Sequence, residues 1–137
     1  MPFQQFSFHP KVVAGLSAMG YTTPTPIQAQ SIPKIMDGHD IMGLAQTGTG
    51  KTAAFALPIL HRLMQGPRKQ VRALVIAPTR ELAEQINDAM QELGQQTRLK
   101  SITVYGGVNV NPQIEKLKQG VEIVVACPGR LLDHINQ

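Results

Sequence analysis

The five residues Ala73-Leu74-Val75-Ile76-Ala77 form an unbroken apolar run of strand length. A run without alternation predicts a strand buried on both faces, the environment of a parallel sheet with helices packed on each side. Its surroundings agree. Leu82, Ile86, Met90 and Leu93 recur at helical spacing before Gly94, and Val121 to Ala126 predicts a second mainly apolar strand. Between them, Ile102 to Tyr105 predicts a strand, and Asn111-Pro112 opens a short helix that Gly120 closes. Upstream, Val12, Val13, Leu16 and Met19 predict a helix, and Thr25-Pro26 caps a second one from Ile27 to Met36, which Pro33 should break or restart. A strand is expected over Asp40 to Ala45, a helix over Lys51 to Met64 kinked at Pro58, and a final helix over Gly129 to Ile135. Alternation of strand and helix predicts an α/β fold with a doubly wound, mainly parallel sheet flanked by helices.

A chain of 137 residues fits one domain, taken as residues 1–137, and with 42% apolar residues it can bury a real core. The single cysteine, Cys127, excludes an internal disulfide framework and points to a reducing compartment. No apolar run approaches the ~18 residues that cross a bilayer. The N-terminal MPFQQFSFHP has no basic segment followed by an apolar one, so a soluble, cytoplasmic domain is expected. The four histidines are scattered without metal-ligand spacing. The formal charge of +4 is unevenly placed: no acidic residue separates Asp40 from Glu81, while Lys51, Arg62, Arg68, Lys69, Arg72 and Arg80 fall there. That stretch is either a solvated basic surface or one that meets phosphates.

Ala45-Gln46-Thr47-Gly48-Thr49-Gly50-Lys51-Thr52, between an expected strand and an expected helix, fits the phosphate-loop pattern with alanine at the first glycine position. Its glycines let the backbone curl so that successive N–H groups face an anion, and the following helix aims its free N-terminal amides at the same point. Lys51 can reach the β- and γ-phosphates, and the Thr52 hydroxyl can ligate Mg²⁺. The loop implies a nucleoside triphosphate without specifying the reaction.

Further motifs carry a family resemblance. Gly20-Tyr21-Thr22-Thr23-Pro24-Thr25-Pro26-Ile27-Gln28 (residues 20–28) resembles the Q motif of DEAD-box RNA helicases, with Phe3 upstream where that family carries an isolated aromatic. Residues 45–52 correspond to its motif I, Pro78-Thr79-Arg80-Glu81-Leu82-Ala83 (78–83) to motif Ia, Gly106-Gly107 to its glycine doublet and Cys127-Pro128-Gly129-Arg130 (127–130) to motif Ib. The resemblance implies a RecA-like phosphate-loop NTPase domain with ATP and Mg²⁺ as cofactors. It implies that Gln28 reads adenine through its amide donor and acceptor, and that Phe3 stacks on or braces the base. Without it, Gln28 reads as an exposed helix residue and Phe3 as a terminal staple onto the core. It also implies RNA held through its backbone, without sequence preference, by Pro78, Thr79, Arg80, Gly106, Gly107, Pro128, Gly129 and Arg130. Taken singly, Arg80 and Arg130 could instead form structural ion pairs. Cys127 stands where the family has threonine, and no role is carried over to it.

The family's Asp-Glu-Ala-Asp and Ser-Ala-Thr motifs and its second RecA-like domain do not occur in these 137 residues. The expected polypeptide is therefore the partial N-terminal RecA-like domain of such a helicase, inactive in ATP turnover and unwinding by itself. The alternative is a naturally truncated, catalytically inactive module that binds nucleotide or RNA or associates with itself. Missing strands would leave sheet edges unpaired, so a homo-dimer of the truncated chain is favoured over a monomer.

Overall fold

A computed structural model describes residues 3–44, 50–104 and 110–127, the side chains of 110–113 excepted. The chain divides into two compact units, one of residues 1–65 and 92–98, the other of residues 66–91 and 99–137.

The first unit is helical. A short 3-10 helix, Phe3–Phe6, precedes α1 (Pro10–Ala18), α2 (Pro26–Met36) and α3 (Lys51–Leu63). Proline at the first turn of α1 and α2 fits there because the missing N–H has no partner inside the helix anyway. Pro33 and Pro58 were expected to break or kink their helices, yet both helices run on, to Met36 and to Leu63. Pro58 itself is buried on α3 with Ala54, Leu57 and Leu60. Burial of that face offsets one lost backbone bond. Val12 and Leu16 of α1, Ile32 of α2 and Leu57 and Leu60 of α3 are essentially out of water. Gly15 of α1 lies against the Leu93 carbonyl so closely that a Cβ there would overlap it.

The second unit carries the sheet. Strands β1 (Ala73–Ile76), β2 (Ser101–Val104) and β3 (Ile123–Ala126) pair in parallel in the order β1-β3-β2. Helix α4 (Arg80–Leu93) lies between β1 and β2 in sequence, and α5 (Val110–Gln119) between β2 and β3. This is the strand–helix alternation that a parallel sheet requires, since a tight hairpin cannot return a chain to a parallel neighbour. Leu117 of α5 packs on a cluster of Ile102, Val104, Val121, Val124 and Ala126. Ala83, Ile86 and Met90 form the buried stripe of α4 within this unit.

Two expectations need correction. Residues 40–44 are not a strand: they have no regular structure, and Met42 and Leu44 are 89% and 86% exposed. An apolar sequence becomes a strand only where a neighbouring strand takes its amides, and none does here among the described residues. The run at 73–77 does form β1, but it is not buried on both faces. Leu74 and Ile76, which share one face of the strand, are 50% and 57% exposed, so that face is not covered among the described residues. Complete burial falls instead on β3, which has a strand on each side. The helix expected over Gly129 to Ile135 lies outside the described residues.

Candidate functional site

The local chemistry of Thr25 organises a first candidate region. Its Oγ1 accepts from the Gln28 N–H at 3.4 Å, while Gln28 Oε1 accepts from the Thr25 N–H at 3.0 Å. This reciprocal pair is a capping box, and Thr-x-x-Gln is its sequence signature. The Gln28 side chain is thereby fixed, 2% exposed, with its Nε2 donating to the Gly50 carbonyl at 3.1 Å. The Q-motif residues and the last residue before α3 are therefore tied by a side chain. The sequence marked Gln28 and Gly50 separately. It gave no sign that they meet.

Gly50 adopts φ 84°, ψ 24° at the N-cap of α3. The left-handed conformation favours glycine, and a Cβ would collide with Gln28 Nε2 and come within 3.2 Å of Thr25 Oγ1. Gly50 gives α3 no side-chain cap, and the thirteen-residue helix starts with Lys51 exposed and Thr52 half-buried. Such a start suits a polyphosphate: helix N-terminal amides, the positive end of the helix dipole and an adjacent ammonium. Ala45, Gln46, Thr47, Gly48 and Thr49 lie outside the described residues.

Phe3 is 4% exposed, its ring centroid 6.1 Å from Phe6 and 6.0 Å from Tyr21 of the Q motif. It also borders a cavity of about 340 Å³ with Leu16, Gly20, Tyr21 and Thr22. Phe3 thus acts as a staple onto the core in this arrangement, adjacent to the Q-motif segment.

A second candidate region belongs to the sheet. The register pairs Ile76 with Ala126 and Val104 with Ala126, so the three strands end level. Beyond them, the Ala77 N–H donates to the Ala126 carbonyl and the Cys127 N–H to the Val104 carbonyl, each at 2.9 Å. Pro78, Thr79 and Arg80 leave β1 at this carboxyl edge, where open parallel sheets take their ligands. All three are exposed. Thr79 also has a structural task, since its Oγ1 accepts from the Leu82 N–H at 3.1 Å and caps α4. Gly106, Gly107, Pro128, Gly129 and Arg130 follow β2 and β3 in sequence and lie outside the described residues. No described helix is long and apolar enough to cross a membrane.

A three-stranded parallel sheet with flanking helices defines this chain as part of a RecA-like α/β domain. The family model of the DEAD/DEAH box helicases matches residues 25–137, and the chain belongs to that family. It is 46% identical over 135 residues to the ATP-dependent RNA helicase CshA of Listeria monocytogenes, covering 98% of this chain and 26% of that one. It is 47% identical over 133 residues to the DEAD-box ATP-dependent RNA helicase RhpA of Helicobacter pylori, covering 97% and 27%. The DEAD-box ATP-dependent RNA helicase CshA of Bacillus subtilis is 44% identical over 135 residues, covering 98% and 27%. The chain spans about a quarter of the length of these curated relatives.

Proposed function

We propose that this chain is the ATP- and RNA-binding portion of a DEAD-box RNA helicase, within its N-terminal RecA-like domain. The observation that carries the reading is the Gln28–Gly50 hydrogen bond, which couples the amide that would check the base to the turn that would hold the phosphates. Both polar atoms of that amide are engaged inside the protein. The amide still has one N–H and one oxygen lone pair beyond these two bonds, a donor and an acceptor with which Gln28 would read adenine while it holds Gly50.

In this reading the loop from Ala45 to Gly50 and the first amides of α3 enclose the polyphosphate, Lys51 neutralises its β- and γ-oxygens, and Thr52 offers its hydroxyl to Mg²⁺. When bound, ATP with its metal supplies the hydrolysable anhydride. Pro78, Thr79 and Arg80, with Gly106, Gly107, Pro128, Gly129 and Arg130, hold RNA through phosphates and sugars at the carboxyl edge of the sheet, without reading bases. In the whole helicase, such contacts would grip one strand while ATP closes a second domain over it. The 137-residue polypeptide is expected to bind without turning over ATP, in a cytoplasmic setting.

The test is titration of a fluorescent ATP analogue against the wild-type chain, Lys51→Ala and Gln28→Ala. Binding should disappear in the lysine variant and lose its preference for adenine over guanine in the glutamine variant. Equal binding by all three would end the nucleotide reading.

A second reading, a self-associating module, is favoured by one observation: β1 is unpaired on one side among the described residues and presents half-exposed Leu74 and Ile76. Such an edge templates pairing with another chain.

A further inference from the structure

We propose that the hydrogen bond from the His9 backbone N–H to the His61 imidazole is an acid-released clasp that holds the N-terminal aromatic segment on α3. The bond runs to Nδ1 at 2.9 Å and joins residues far apart in sequence. His9 is itself the N-cap of α1, its Nδ1 accepting from the Lys11 N–H at 3.1 Å. The His61 imidazole thus serves as an acceptor through Nδ1, which requires its ring to be neutral with the proton on Nε2. Protonation of His61 converts that acceptor into a donor facing the His9 N–H, and the bond is replaced by repulsion.

The segment so fastened is apolar and short. Phe3, Phe6 and Phe8 are buried, and their rings form a chain that ends on the imidazole, with centroids 5.7 Å apart from Phe6 to Phe8 and 6.1 Å from Phe8 to His61. The groups acting on His61 are His9 from the start of α1 and Arg62 on its own helix, and burial adds to both. Burial first, then the two charges, hold the His61 pKa below the ordinary imidazole value. The sign follows from that direction. The clasped state binds fewer protons than the open one, so the clasp is intact above about pH 6.5 and is lost as pH falls through the lowered value. Release would free this tie between the residue preceding α1 and α3 and expose the phenylalanine chain. The clasp does not depend on nucleotide binding.

Hydrogen exchange of the His9 amide by NMR on the full chain, corrected for intrinsic rate, tests it. Protection should fall severalfold, with about tenfold as the ceiling, between about pH 7.5 and pH 5.5. The fall should coincide with titration of the His61 ring nitrogens in the same samples. His61→Gln, whose amide oxygen accepts without titrating, should keep protection at both pH values. Unchanging protection in the wild type, or a midpoint that does not follow the His61 ring, would overturn the proposal. So would a His61→Gln chain that loses protection in parallel with wild type.

Discussion

At position 122 a carboxyl group, 3% exposed, is held by backbone N–H groups. Its Oε2 accepts from the Lys69 N–H and its Oε1 from the Lys100 N–H, both at 2.7 Å. The Glu122 main chain adds three more bonds, accepting from Arg72 and Ala73 and donating to the Lys100 carbonyl. One residue therefore aligns the entries to β1 and β2 against β3. Replacement by alanine leaves two amides without acceptors, and Glu122→Ala should cost about 2–4 kcal/mol in urea unfolding. Glu122→Gln should recover only part of this, because its NH₂ faces one of the two N–H groups. Gly50 is constrained in another way, by its left-handed φ of 84° and by Gln28 beside it. Gly50→Ala should lower stability by about 1–3 kcal/mol and should weaken binding of the ATP analogue in the same titration as Lys51→Ala.

Among the elements, helices were more legible in the sequence than strands, for a physical reason. A helix satisfies its backbone within itself, so Thr25, Pro26 and Gln28 specify the start of α2 from local chemistry alone. Thr25→Ala removes the hydroxyl half of the capping box, the Thr25 Oγ1 acceptor for the Gln28 N–H, and should cost about 1 kcal/mol by thermal or chemical unfolding. A strand takes its hydrogen bonds from residues distant in sequence. Asp40 to Leu44 has the composition of a strand but no partner among the described residues, and β1 leaves Leu74 and Ile76 half-exposed where its apolar run implied burial on both faces. The same distance in sequence hid the Gln28–Gly50 and His9–His61 contacts, since neither residue type announces its partner. What the motif residues touch was not legible. If the bare side of β1 drives self-association, a Leu74→Lys, Ile76→Lys double variant should elute as a smaller species than wild type in size exclusion with light scattering.

Across the whole molecule, the candidate residues divide between the two compact units: Phe3, Gln28, Gly50, Lys51 and Thr52 in the first, Pro78, Thr79 and Arg80 and the residues following β2 and β3 in the second. Substitution in one unit should therefore leave the other ligand's binding in place. Lys51→Ala should abolish nucleotide binding with little effect on RNA affinity, and Arg80→Ala should do the reverse. Fluorescence anisotropy with a labelled oligouridylate would measure this. Because the proposed RNA contacts are phosphate contacts, affinity should also fall steeply with added salt, with a shallower slope in Arg80→Ala. The strand order has a consequence for how the chain is made. β1 and β2 each pair with β3 and not with one another, and β3 is the last of the three to leave the ribosome. During synthesis the first two strands must wait, their edges open, for the keystone between them. Nascent chains that stop short of residue 123 should therefore remain sensitive to protease across residues 66–104, and gain resistance in one step once Ile123 to Ala126 has emerged.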